Sequence, residues 1–375
     1  MKVTGIESFI LAIPTQKPIA LSYPEHRLVV ARISTDEGVS GLGYSLAFGG
    51  GGAEAIQVYL ETRLKPLVVG EDPLFVGRLW ERMFRGDRGI KRQGVAAYAL
   101  SALDIGLWDV AGKAAGLPLY KMWGGVNDRI AAYGSGGWPA YSVEDLIAEA
   151  QRYVAMGCRY YKMKIHEPDP RANRRRVEAV RKAIGDDVKL MVDANHCMSV
   201  PAAIRLGRRL EELDIEWFEE PISPEDIDGY VEVSRALDMA VAGGENEFTR
   251  WGFREAIVRK AMDIVQPDVC AAGGITECKK IAALASTHGV ECVPHAWGSA
   301  VGLAATIHFL ASIPDQPPSL FPMPPMLEFE QEENPFRDHL AVEPINQVKG
   351  VIAVPTGPGL GIEVDRSVID RYRVT

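Results

Sequence analysis

The chain reads as an α/β barrel behind a smaller α+β cap, and three observations predict it. From about Arg129 onward, short apolar runs alternate with amphipathic helical segments. Seven such repeats are visible, and an eighth strand is expected within the proline-rich stretch Ile313–Leu327, a count that favours closing a parallel sheet into a barrel. Asp193, Glu219 and Glu245 each end one of these runs at an even spacing of 26 residues, about the chain that a unit of strand, loop, helix and return requires.

The cap comes first. Lys2 to Ile13 and Leu28 to Tyr44 read as antiparallel strands, the second run folded at Asp36-Glu37-Gly38 into a hairpin. From Gly94 to Leu117, Ala97, Leu100, Leu103, Leu107 and Val110 recur at helical spacing, and Gly116 and Pro118 stop the helix. The barrel strands are then Ile130–Tyr133, Tyr160–Ile165, Lys189–Val192, Ile215–Phe218, Ala240–Gly243, Met262–Val265 and Val290–Val293. Between them, Ser223-Pro224-Glu225-Asp226 supplies an N-cap with proline at the first helical position, and Thr276 opens a helix that Gly289 closes. Val348 to Val364 returns to strand-and-turn texture and is expected to fold back on the cap. The expected domains are 1–127 (cap), 128–344 (barrel) and 345–375 (C-terminal segment returning to the cap).

Bulk properties narrow the function classes. With 375 residues, 47% hydrophobic and 24% charged, the composition is that of a globular protein with two cores. A net charge of −9 argues against nucleic acid as a partner, since phosphate binding needs a basic face. The absence of an unbroken run of 18 apolar residues argues against a membrane span. Met1 to Pro14 alternates like a strand rather than a secretory signal. The five cysteines, an odd number with no closely spaced pair, are expected to be reduced, in a cytoplasmic protein.

The chemistry is expected at the C-terminal ends of the barrel strands. Asp193, Glu219 and Glu245, converging there, repel one another unless a cation lies among them, and hard oxygen ligands suit Mg²⁺. Each alone is as readily a helix cap; three in phase are not. Glu219 is favoured over its neighbour Glu220, which alternation points the other way. Lys162 and Lys164 share one face of the second barrel strand. Side by side, each is expected to lower the other's pKa, which suits one of them to act as a base. Asp268 and His295 end the sixth and seventh strands, close enough for a hydrogen bond that fixes the imidazole tautomer and makes a general acid/base. His196 is a weaker candidate. His166, His288, His308 and His339 read as structural or surface residues. A substrate carboxylate held by the cation would lose its α-proton to Lys164 on one side or His295 on the other, with Mg²⁺ stabilising the enediolate.

Together these residues resemble the enolase superfamily, mandelate racemase subgroup (the mandelate racemase/muconate lactonizing enzyme family), over essentially the whole chain. Ala99-Leu100-Ser101-Ala102-Leu103-Asp104-Ile105-Gly106-Leu107-Trp108-Asp109 matches the helix signature of that family's capping domain. Asp193-Ala194-Asn195-His196, Trp217-Phe218-Glu219-Glu220-Pro221, Gln266-Pro267-Asp268, Val293-Pro294-His295-Ala296-Trp297-Gly298, Met326-Leu327-Glu328-Phe329-Glu330 and Asn334-Pro335-Phe336-Arg337 are similar to runs in galactarolactone cycloisomerases and acid-sugar dehydratases. The resemblance implies a modified (β/α)7β TIM-type barrel, with the N-terminal α+β capping domain completed by the C-terminal tail. It also implies a Mg²⁺-dependent lyase or isomerase with Asp193, Glu219 and Glu245 as ligands, Lys164 as one acid/base and His295 with Asp268 as the other. Lys162 would contact the substrate carboxylate, and Glu328, Asn195 and His26 complete the expected substrate-binding set. A homo-oligomer is expected. Specificity is expected in two lid segments, Lys17–Arg27 and Ser45–Ala53, the latter holding Gly49–Gly52.

The expected reaction is β-elimination from a small anionic substrate, a sugar acid or its lactone, by dehydration or cycloisomerisation. Racemisation or epimerisation of a 2-hydroxy acid between Lys164 and His295 is the alternative. A metal-free Schiff-base aldolase using either lysine, and a non-catalytic descendant, stand further off.

Overall fold

A computed structural model of the chain describes residues 1–14, 25–47, 52–86, 93–167, 169–320, 322–331 and 334–374. Strands β1 (Val3–Pro14), β2 (Glu25–Thr35) and β3 (Ser40–Ala47) form an antiparallel sheet in the order β1-β2-β3. Gly38, at φ +77°, makes the turn between β2 and β3, and its N–H donates to Thr35 O at 3.3 Å.

The helix Val95–Ala115 lies on this sheet and carries the cap's packing. It approaches β3 at backbone contact: a Cβ on Gly43 would stand 1.7 Å from Ala102 O, and one on Gly41 2.3 Å from Gly106 O. By length and composition this helix is apolar enough to cross a membrane, but 83% of its apolar window is buried inside the protein. It also buries Asp104 and Asp109. Asp109 accepts from Leu42 N and Leu360 N, both at 2.9 Å, so one carboxylate joins β3, the helix and the tail. Ser101, Asp104, Asp109 and Lys113 interrupt the apolar sequence of the helix, so it is no unbroken apolar run, and burial between cap and barrel explains its composition.

The barrel strands follow. They are β4 (Arg129–Gly136), β5 (Tyr160–Lys164), β6 (Lys189–Asp193), β7 (Ile215–Glu219), β8 (Ala240–Gly243), β9 (Ile264–Val265), β10 (Glu291–Cys292) and β11 (Met326–Glu330). Neighbours pair in parallel from β4 through to β10, and β11 returns to pair with β4. Helices alternate with the strands, giving the (β/α)7β order. The eighth strand begins at the end of the proline-rich stretch, where Met326 pairs with Ala131. Tyr133, Met191, Trp217, Ala242, Ile264, Val293 and Met326 fill one end of the interior. The other end is lined with charges.

Two helix starts differ from expectation. The helix after β7 is Ile227–Ala236, and Asp226 caps it by accepting from Gly229 N at 2.8 Å; Ser223 instead bonds Glu225 within the preceding turn. Gly274 precedes the helix Ile275–Thr287, so Thr276 lies inside it and gives its hydroxyl to Asp104 at 2.6 Å, docking cap on barrel.

In the tail, β12 (Gln347–Val348) and β13 (Val351–Ala353) form an antiparallel pair, and β13 adds to β4. The helix Arg366–Tyr372 leads to Val374, whose N–H donates to Ile10 O at 3.0 Å. The tail thus touches both barrel and cap. All five cysteines are free.

Candidate active site

Asp193 and Glu219 are the last residues of β6 and β7 and are paired partners across them. Glu245 stands two residues beyond β8, carried there by Gly244 at φ +126°. Asp193 and Glu219 are fully buried. Lys162 and Lys164 do share a face of β5, and both meet these acids. Lys164 Nζ bonds Asp193 Oδ2, while Lys162 Nζ lies 2.5 Å from Glu219, 2.9 Å from Glu328 and 3.9 Å from Asp193.

The electrostatics correct one expectation. Burial presses both lysines toward neutrality, but the facing carboxylates outweigh it and raise both pKa values. Lys162 does oppose the charge on Lys164, but this effect is smaller than that of Asp193. The mutual repulsion of the lysines is present but outweighed by the facing acids. Three carboxylates share the single Lys162 ammonium, and it cannot satisfy all of them. Asp193 falls well below the carboxylate range, against its burial, because both lysines face it. Glu219 is pushed up to about 7 by burial and, against Lys162, by Asp193 and Glu328.

On the other side, His295 Nδ1 lies 2.6 Å from Asp268 Oδ2, and Asp268 Oδ1 accepts from Cys270 N at 2.6 Å. His295 Nε2 faces Glu245 Oε2 at 3.4 Å. Burial would lower this imidazole, but Glu245 and Asp268 prevail and raise it to about 10. The ion pairs thus fall into two groups, Lys162 and Lys164 with Asp193, Glu219 and Glu328, and His295 with Glu245 and Asp268.

Glu328, on β11, is buried rather than at the surface. It accepts from Ser135 Oγ at 2.6 Å and from Ala296 N at 3.3 Å, joining β4 to the His295 loop, and Lys162 holds it down to about 2. Asn195 turns back on Asp193, its N–H donating to Oδ1 at 2.8 Å. Its side-chain oxygen lies 3.0 Å from His166 Nε2, which brings His166 into the site rather than leaving it merely structural. His26, on β2, meets Trp297 edge-on at 4.6 Å, two residues from His295, and burial lowers its pKa. Residues 15–24 and 48–51, the greater part of the first expected lid and the middle of the second, lie outside the described residues.

Further residues reach the site, two of them, Trp217 and Gln266, from within the family-like runs but with no role assigned from sequence. Trp217 Nε1 and Gln266 Nε2 both donate to Glu219 Oε2, at 3.0 and 2.8 Å, leaving Oε1 to Lys162. The Trp138 ring lies 5.8 Å from Lys164 Nζ. Tyr98, in the first turn of the cap helix, packs edge-on against Phe248 at 5.6 Å and lies within the field of Asp268 and Glu245. Alternation on β7 and the strand-end position of Gln266 were the available signals. Nothing local marks Tyr98 or Trp138.

Five carboxyl groups (Asp193, Glu219, Glu245, Asp268 and Glu328) thus meet three basic groups (Lys162, Lys164 and His295). Among the described residues no group of three or more His, Cys, Asp and Glu side chains is close enough to hold a metal ion as it stands; the lysines and His295 lie against the carboxylate oxygens. All-oxygen donors at three successive strands, more numerous than the basic groups around them, fit a hard divalent cation in chemistry.

The sequence comparisons agree with this geometry. Residues 6–124 match the model of the mandelate racemase/muconate lactonizing enzyme N-terminal domain, and residues 145–368 that of the enolase C-terminal domain-like family. The chain belongs to the mandelate racemase/muconate lactonizing enzyme family of the enolase superfamily. Within this family it is 36% identical to D-galactarolactone cycloisomerase from Agrobacterium fabrum, over 100% of this chain and 99% of that protein. It is 35% identical to arabinonate dehydratase from Saccharolobus solfataricus, over 92% and 90%. A racemase from Streptomyces coelicolor A3(2), solved with bound magnesium, superposes with a TM-score of 0.90 at 31% identity, over 99% of this chain and 100% of that one. The chain is therefore an enzyme of a superfamily whose members here are lyases and isomerases, typically magnesium-dependent.

Proposed function

We propose that this enzyme removes the α-proton of a sugar-acid or hydroxy-acid carboxylate with the help of Mg²⁺ and then expels a β-oxygen, by acid-sugar dehydration or sugar-lactone cycloisomerisation. The observation that carries the reading is the placement of Asp193, Glu219 and Glu245 at three successive strands, with Lys164 paired to Asp193 and His295 facing Glu245 and Asp268. It sets two proton-handling groups beside the three acids. Similarity to both a cycloisomerase and a dehydratase supports the elimination.

Asp193, Glu219 and Glu245 would hold the cation. When bound, it supplies the electrostatic stabilisation that makes a proton beside a carboxylate removable. The remaining roles fall to side chains. Trp217 and Gln266 fix the Glu219 carboxylate so that one oxygen faces the site. Lys162, released from its share of Glu219 and Glu328, would hold a substrate carboxylate oxygen. Lys164 Nζ and His295 Nε2 stand on either side: the one that is neutral, once its carboxylate partners are engaged elsewhere, would take the α-proton, and the other, still protonated, would give a proton to the departing oxygen. Asp268 holds the imidazole ring and its Nδ1–H. Glu328, Asn195 and His26 would meet the substrate's hydroxyls. Water exclusion falls to the cap, through Tyr98 and the lid segments.

A racemase or epimerase reading keeps some support, because the same two groups flank the acids and a structural relative is a racemase. The test is a panel of aldonates, aldarates and their lactones incubated with Mg²⁺ in D₂O and followed by NMR. Loss of a β-oxygen with deuterium entering the α-position supports elimination. Deuterium entering an otherwise intact hydroxy acid favours racemisation. Borohydride inactivation with indifference to chelator would move the assignment to a Schiff-base aldolase.

A further inference from the structure

Glu220 follows Glu219 but makes none of its contacts. Its Oε1 accepts from Asn246 Nδ2 at 3.0 Å, its Oε2 lies 2.7 Å from His196 Nε2, and Asn246 Nδ2 is 3.2 Å from that same ring nitrogen. The backbone repeats the link, His196 N–H donating to Glu220 O at 2.8 Å. These three residues come from the loops after β6, β7 and β8, each beside one of the acids proposed to hold the cation: Asp193 and Glu219 at the strand ends and Glu245 just past β8.

The arrangement is unfavourable locally. Glu220 is 1% exposed, and burial, then Glu245 and Asp193, push its carboxyl well above the ordinary range. Asn195, His196 and Glu220 all sit at positive φ, at 38°, 63° and 41°. A buried acid that crowds two others and coincides with three left-handed backbones needs a compensating role. Glu220 shares none of the Lys162, Trp217 and Gln266 contacts of Glu219 and turns instead to Asn246 and His196, which speaks for a role behind the ligands rather than among them.

We propose that Glu220, through His196 and Asn246, is a positioning residue: it clasps the loops after β6, β7 and β8 in register and thereby sets the affinity for the divalent cation. The inference rests on the magnesium reading given above. Partners behind metal ligands typically change affinity 10- to 100-fold when removed.

The experiment is calorimetric titration of MgCl₂ into the full-length wild-type protein and into Glu220→Ala, Asn246→Ala and Glu220→Gln, with thermal unfolding of each metal-free protein beside it. Glu220→Ala and Asn246→Ala are expected to weaken Mg²⁺ binding about tenfold or more. Glu220→Gln can still accept from Asn246 and reach His196, so it is expected to keep most of the affinity. Its metal-free midpoint should stay close to wild type, because the amide keeps the size of the carboxyl and the Asn246 contact. Equal affinity in wild type and Glu220→Ala overturns the proposal. So does an affinity lost in Glu220→Ala but intact in Asn246→Ala, which would make Glu220 a ligand itself. A wild-type protein that binds no Mg²⁺ overturns the underlying metal reading and the clasp with it.

Discussion

Protonating His308 should loosen the junction of cap, barrel and tail. This residue lies in the last turn of the helix Ala300–Leu310 and is fully buried. Its Nδ1 accepts the Tyr120 N–H at 3.4 Å, and its Nε2–H donates to Leu360 O at 3.0 Å. That pair of partners requires the neutral ring: a second proton would set Nδ1–H against a backbone donor. Burial accordingly lowers the pKa from 6.5 to about 4. At about 1.4 kcal/mol per unit, the neutral form is favoured by about 3 kcal/mol. Because the folded pKa lies below the unfolded one, this stability is fully present above pH 6.5 and drains away as pH falls toward 4. His295, raised to about 10, is protonated in both states only well below pH 6.5; nearer 6.5 and above, its contribution falls as pH rises, opposite to that of His308. The buried carboxyls of Glu219 and Asp104, raised to about 7, slope the opposite way, so the contribution must be read as a difference. The assay is urea unfolding of wild type and His308→Gln between pH 4 and 7.5, since glutamine can accept and donate without titrating. The two stabilities should diverge with pH, wild type losing about 3 kcal/mol more on acidification. Parallel curves would refute the reasoning.

Three other perturbations follow from the site and its frame. Lys164→Ala and His295→Asn should each abolish turnover, and full activity in Lys164→Ala would remove it from the reaction. Glu245→Gln should chiefly weaken metal retention, seen as activity recovered at high Mg²⁺; the same loss at saturating Mg²⁺ would point to a different role. Gly43→Ala places a Cβ 1.7 Å from the Ala102 carbonyl, where only backbone can move, so chemical unfolding should show a loss of about 3 kcal/mol. An unchanged midpoint would mean that the cap helix is not seated on β3.

Much of this arrangement was legible in the sequence because barrels impose simple rules. Alternation put Lys162 and Lys164 on one face, and even spacing put Asp193 and Glu219 at adjacent strand ends, as found. The spacing overstated the symmetry at Glu245, which the Gly243-Gly244 turn carries two residues past β8. What failed was what depends on the neighbours across the barrel. The direction of the lysine shifts is set by Asp193, Glu219 and Glu328, not by the lysines' mutual repulsion. The helix cap fell to Asp226 instead of Ser223 because either oxygen suits the role and only the tertiary entry angle chooses. Tyr98 and Trp138 reach the site from elements whose local sequence says nothing of where they dock.

The central claim is that three carboxylates from successive strands grip a divalent ion between Lys164 and His295. A crystal grown with Mn²⁺ as an anomalous stand-in for Mg²⁺ tests it most directly. The account predicts one strong peak about 2.1 Å from oxygens of Asp193, Glu219 and Glu245, with Lys162 and Lys164 drawn off them. Manganese found elsewhere, with both lysines still paired to these acids in an active enzyme, would contradict it.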